Sequence, residues 1–203
     1  MSPIPRSAVR RPVVAGAVVL IFAVPGCGAP SDAPAQGAQG SVTDAQAMVD
    51  NLLTQESTVR DKLMGLAEAI PEEDYDWRPM EGVRSVGEVF QHVAADNYLL
   101  PAIAGVAAPE ATGIVAADYA TVQAYETRTL SKAEIVEQLA ASFDHLESAV
   151  ASTRGDLDAV YQAFGTDFTG GGLWTMAITH LHEHLGQAIA YARSNEVVPP
   201  WSR

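Results

Sequence analysis

Apolar residues return every three to four positions through Met48, Leu52, Leu53, Val59, Leu63, Leu66 and Ile70, the mark of one buried helix face. The pattern predicts a helix from about Asp44, capped by Ser41 or Thr43 and stopped by Pro71. A turn-rich loop from Pro71 to Arg84 follows, and then Ser85-Val86-Gly87-Glu88 reads as a capping box, with the cap hydroxyl and the carboxylate three residues on each serving the other's backbone N–H. Val86, Val89, Phe90, Val93 and Leu100 continue at helical spacing, and this second helix fades near Ala104, ahead of an Ala/Gly/Pro-rich stretch that runs to about Asp118. A second capping box, Ser131-Lys132-Ala133-Glu134, opens a third helix carrying Ile135, Leu139, Phe143, Leu146 and Val150, ended by Arg154-Gly155. Val160, Tyr161, Phe164 and Phe168 predict an extended stretch within 156–169, and Gly170-Gly171-Gly172 a flexible joint. The last helix is expected from about Leu173 to Ser194. The fold class is therefore all-α, with four long helices.

The N-terminus follows a different pattern. Residues 1–12 hold Arg6, Arg10 and Arg11 and no acid, and Val13 to Val24 is an apolar run of twelve, ending at Pro25-Gly26-Cys27. Twelve helical residues reach about 18 Å, short of a hydrocarbon core of roughly 30 Å, so the segment reads as a signal peptide, 1–26, and not as a membrane span. Val24-Pro25-Gly26-Cys27 resembles a bacterial lipobox, in which the cysteine becomes the lipidated first residue. Cys27 is the only cysteine, and lipidation accounts for an unpaired thiol in an exported chain. Residues 27–42 then form a flexible tether poor in large apolar groups. The expected location is the cell envelope, outside the cytoplasm, with the membrane reached through the lipid.

Composition narrows the function classes. The chain has 203 residues, 48% of them hydrophobic, enough for one cored domain, 43–203, plus these extensions. Twelve Lys and Arg against 25 Asp and Glu give a net charge of −13, which opposes nucleic-acid binding. A single cysteine excludes disulfide frameworks and Cys-rich zinc sites, so any metal must be held by histidine or carboxylate. A homodimer through a helix face is open to a bundle of this kind.

Five histidines stand at 92, 145, 180, 182 and 184. At about 100° per residue, His180 and His184 share a helix face with Gln187 and Tyr191, Glu183 lies to one side, and His182 points away. Two imidazoles spaced i, i+4 can bind one divalent ion. His92 on the second helix is the natural third ligand, with Asp96 one turn on and Glu88 one turn back to hold it or add a ligand. Equally, Trp174, Ile178, Leu181, Leu185 and Ala188 form an apolar face that, buried, would leave His180 and His184 as solvated residues. His145 and His182 read as solvent-facing or structural, and Trp77 and Trp201 as hydrophobic plugs beneath loops.

Taken together, Tyr75-Asp76-Trp77-Arg78-Pro79, Arg84 through Ala94 with His92, His180 through Gln187, Tyr191-Ala192-Arg193 and Val198-Pro199-Pro200-Trp201 resemble the DinB-like superfamily over about residues 45–203. The resemblance implies an up-down-down-up four-helix bundle. It also implies a divalent transition metal, nickel, zinc, iron or manganese, on one histidine of the second helix and a His-x-x-x-His pair of the last, matching His92, His180 and His184.

Three neutral imidazoles leave positions open on such an ion, the arrangement of a catalytic site. Glu183 or Asp96 would then accept a proton or orient a ligand, in a metal-dependent hydrolase or thiol-dependent transferase acting on a small molecule. The alternative is a non-catalytic binding module stabilised by its ion. Nothing in the sequence selects the substrate.

Overall fold

The computed structural model describes residues 37–153 and 156–202, with side chains from Asp44 onward. The expected signal peptide, Cys27 and the expected tether up to residue 36 lie outside the described residues. Four long helices, α1 (Gly37–Ala69), α2 (Val86–Ile103), α4 (Lys132–Ser152) and α5 (Gly170–Ser194), build the domain, joined by one short helix, α3 (Tyr119–Glu126). Both capping boxes form. Ser85 caps α2 with Glu88 reciprocating, and Ser131 caps α4 with Glu134 reciprocating. Among the described residues no helix is long and apolar enough to cross a membrane.

Contacts fix the directions of the bundle. Arg60 of α1 pairs with Asp144 of α4 at 2.5 Å while Lys132, at the start of α4, donates to the Ile70 carbonyl at the end of α1 at 2.6 Å, so these two run antiparallel. Asn97 of α2 donates to Ser142 of α4 at 3.0 Å, and Gly87 packs under Ile135, so α2 and α4 are parallel. Tyr191 near the end of α5 reaches the Arg84 carbonyl just before α2, at 3.2 Å, which makes α2 and α5 antiparallel. Met48 lies against Gly171 and Gly65 against Pro200, so α1 and α5 are parallel. The order is up-down-down-up. Phe90, Phe143, Trp174, Leu63, Leu139 and Leu173 fill the centre and are fully buried. Each such side chain contributes about 1.5–3 kcal/mol by leaving water.

Four features differ from the sequence reading. Helix α1 starts at Gly37 instead of Asp44, because backbone hydrogen bonding can extend a helix backward without an apolar face to pack. Helix α3 was not foreseen. Asp118 caps it at the Ala120 N–H, and Val122 and Tyr125 bury its one apolar edge. The triple glycine is no joint: it forms the first turn of α5, with Gly170 N–H bound to the Ala159 carbonyl and Gly171 N–H to that of Leu157. A Cβ on Gly170 would lie 2.7 Å from the Asp156 carbonyl oxygen, so close backbone approach is what requires glycine there. Trp201 is exposed, with Lys62 Nζ 5.8 Å from its ring centre, whereas Trp77 does plug its loop, edge-on to Tyr191 with ring centres 5.3 Å apart.

The extended stretch is a hairpin, β1 (Val160–Ala163) and β2 (Thr166–Thr169), with Ala163 opposite Thr166. Its two-residue turn, Phe164-Gly165, holds φ of 53° and 77°, the positive pair that a type I′ turn needs.

Candidate metal centre

Helices α2 and α5 face each other where both carry histidine. The antiparallel crossing sets His92 of α2 against His180 and His184 of α5. The three rings stand edge to face, with centres 5.2 Å (92 to 180), 4.6 Å (92 to 184) and 4.4 Å (180 to 184) apart. His180 Nε2 and His184 Nε2 are 3.0 Å apart. Asp96, one turn along α2 from His92, places Oδ2 3.3 Å from His180 Nε2 and 3.5 Å from His92 Nε2. The apolar face of α5 is indeed buried, through Trp174, Ile178, Leu181, Leu185 and Ala188. His180 and His184 are nevertheless only partly exposed, because α2 covers them from the side.

The outer nitrogens decide which inner ones are free. Glu126, the last residue of α3, accepts from His92 Nδ1 at 2.7 Å. Arg84 holds the same carboxylate from the other side at 3.1 Å. Burial alone would raise the Glu126 pKa, but hydrogen bonds and charge from His92 and Arg84 outweigh it and hold the carboxyl below its ordinary value. An ionised Glu126 can only accept, so His92 Nδ1 carries a proton and donates it, and Nε2 is the nitrogen turned inward. Gln187 repeats the device for His184: its Oε1 lies 2.9 Å from His184 Nδ1, and its amide nitrogen donates to Tyr191 Oη at 3.0 Å, which orients the amide. Burial, with the neighbouring His184 and His92 rings and Arg84, pushes the His180 pKa down to about 4, and His184 is lowered chiefly by burial. These two imidazoles are therefore neutral at pH 7 and offer lone pairs. His92, His180 and His184 form a group that could hold a metal ion, and the donor set, three imidazoles of which two have outer partners on Nδ1, fits a divalent one.

Beside the histidines lies an open basin of about 640 Å³, bordered by Arg78, Arg84, Glu88, Glu126, Thr127 and Gln187. Two of these residues, Glu126 and Gln187, are the ones that hold the outer nitrogens of His92 and His184.

The structure sorts the expected site residues. His92, His180 and His184 converge, and Asp96 lies within 3.5 Å of the first two. Glu88 does not join them, since its carboxylate closes the capping box at Ser85 N–H, 2.7 Å, and pairs with Arg78 at 3.2 Å. Glu183 is exposed on α5 and stands outside both groups of converging ligand atoms among the described residues, reaching His184 through charge alone. His182 is exposed, its Nδ1 on the Ile178 carbonyl at 2.9 Å, and His145 packs its ring against Tyr98. Glu126 was missed, and so was the part Arg84 takes in holding it. Asp118 followed by Val122 and Tyr125 would have betrayed α3, but nothing local to residue 126 points to His92.

Comparison with known proteins agrees with this fold. Residues 55–188 match the DinB superfamily. Among solved structures, a DinB-like protein from Bacillus cereus ATCC 10987 superimposes with a TM-score of 0.61 at 16% identity, covering 74% of this chain and 95% of that one. A DinB-like protein from Bacillus subtilis gives 0.54 at 18% identity, covering 73% and 93%. At these identities the likeness is one of fold. No curated protein matches the chain.

Proposed function

The chain belongs to the DinB superfamily, and from that premise we propose that it holds one divalent transition-metal ion on His92, His180 and His184 and uses it on a small-molecule substrate. Nickel, zinc, iron and manganese all suit nitrogen donors of this kind. The observation that carries the reading is the division of labour within the rings: Nδ1 of His92 and of His184 is tied to Glu126 and Gln187, and Nε2 of His184 is left facing Nε2 of His180 at 3.0 Å.

A divalent ion supplies Lewis acidity, which brings the pKa of water or a thiol toward neutrality. This chain's residues do the rest. Glu126 and Gln187 hold two rings in one tautomer and one orientation. Arg84 keeps Glu126 ionised, so the His92 proton stays on the outer nitrogen. The basin between the Arg78–Arg84 loop and Glu126 borders the groups that hold those two rings. Three imidazoles leave positions open on a divalent ion, which favours turnover, by hydrolysis or thiol-dependent transfer, over an ion that serves the fold alone.

Elemental analysis of the whole chain, purified without affinity histidines beside His92→Ala and His180→Ala, tests the reading. One transition-metal ion per chain, lost in both variants, is expected. A parent that is metal-free and cannot be loaded overturns it.

We further infer that residues 1–26 direct export and that Cys27 is lipidated, holding the domain at the envelope. Cys27→Ser should abolish incorporation of a labelled fatty acid and release the protein from the membrane fraction. Unchanged labelling would rule the anchor out.

A further inference from the structure

Asp96 stands in a position that an orienting carboxylate does not take. Groups that orient a metal-binding histidine sit on its outer nitrogen, as Glu126 and Gln187 do here. Asp96 instead puts Oδ2 among the inner nitrogens, 3.5 Å from His92 Nε2 and 3.3 Å from His180 Nε2. His92 has its proton on Nδ1, donated to Glu126. Asp96 thus stands on the side of the His92 ring opposite its orienting partner, where a donor to a shared ion would stand.

The separations say which kind of cation. A first-row ion with bonds of about 2.0–2.2 Å has neighbouring donor atoms about 2.9 Å apart in an octahedron and about 3.4 Å apart in a tetrahedron, by simple geometry on the same bond lengths. The contacts 3.0 Å (His180 to His184), 3.3 Å (Asp96 to His180) and 3.5 Å (Asp96 to His92) match such edges. The helices show the same logic: α5 offers His180 and His184 four residues apart, and α2 offers His92 and Asp96 four residues apart, so each facing helix presents one pair from adjacent turns. The Asp96 side chain is 15% exposed, which leaves it few solvent partners in place of the ion.

We propose that Asp96 is a fourth metal ligand, making the centre a three-histidine, one-carboxylate site. The inference rests on the metal-binding reading above. A carboxylate oxygen added to three nitrogens makes the set harder, which suits manganese and iron better than three imidazoles alone.

Cobalt(II) titration of the full chain, followed by visible absorption and by competition with a chelator, tests the proposal. The parent should bind one cobalt. Asp96→Asn keeps the shape of the side chain and should bind more than about 100-fold more weakly, beyond the 10- to 100-fold loss from an orienting group. Its visible spectrum should also change, because an oxygen ligand has been lost or exchanged for water. Asp96→Ala in added formate should recover the parent spectrum, which separates loss of a ligand from loss of the fold. Glu126→Gln, the orienting control, should weaken binding and keep the parent spectrum. If Asp96→Asn binds cobalt as tightly as the parent with the same spectrum, the three-histidine reading stands and Asp96 is not a ligand. If the parent binds no cobalt, both readings fall together.

Discussion

Glu126 accepts a hydrogen bond from His92 at 2.7 Å across 34 residues of sequence, joining the end of the short helix α3 to the middle of α2. That contact fixes the His92 tautomer and gives the otherwise slight α3 a reason to pack where it does. It also links the centre to the loop before α2, because Arg84 grips the other oxygen of Glu126.

Replacing that carboxylate should loosen the metal without removing a ligand. Glu126→Gln is expected to lower metal affinity by about 10- to 100-fold. In the metal-free protein, nitrogen-15 spectra of the histidine rings should show His92 changing from an Nδ1–H form to a mixture of tautomers. An unchanged affinity and an unchanged tautomer would show that Glu126 is only a surface partner of Arg84.

A second prediction concerns Glu56, which is 1% exposed on α1, with neither carboxylate oxygen in a hydrogen bond. Burial, reinforced by the charges of Glu147, Asp144 and Asp61 and opposed by Arg60, pushes its pKa from 4.5 up to about 7. Between those values the unfolded chain releases a proton that the folded chain retains. Stability from this group is therefore present below pH 4.5 and lost as pH rises through 7, by about 3 kcal/mol in total. Glu56→Gln should match the parent near pH 4 and melt several degrees higher at pH 8. Melting curves that run parallel across this range would contradict it.

Two glycines of the same helix should respond in opposite directions. Gly170→Ala forces a methyl to within 2.7 Å of the Asp156 carbonyl oxygen and should cost about 1–3 kcal/mol in a denaturant titration. Gly186→Ala opens onto empty space on the exposed side of α5 and should gain about 1 kcal/mol from helix propensity. If Gly170→Ala were neutral, the packing of the first turn of α5 against residues 156–157 would be wrong.

Much of this architecture is written in short stretches of chain. The helix faces of α2, α4 and α5 show in the recurrence of apolar residues, and both capping boxes show in four-residue motifs, since capping is a contact between residues three apart. The His180 and His184 pair was legible for the same reason: one helical turn sets their spacing whatever surrounds them. Trp201 and the triple glycine misled, because a tryptophan's burial and a glycine's freedom depend on what packs against them. For Gly170 that is a backbone carbonyl at 156.

What the sequence by itself determined is therefore every relation that a helix makes with itself: period, caps, and which histidines share a face. Only the tertiary structure decided which ring would meet Asp96 and that Glu126 would hold His92. Those contacts join residues up to 84 positions apart in the chain. They arise because burying four apolar faces at once leaves α2 and α5 a single antiparallel register, and that register brings the polar residues between the faces together.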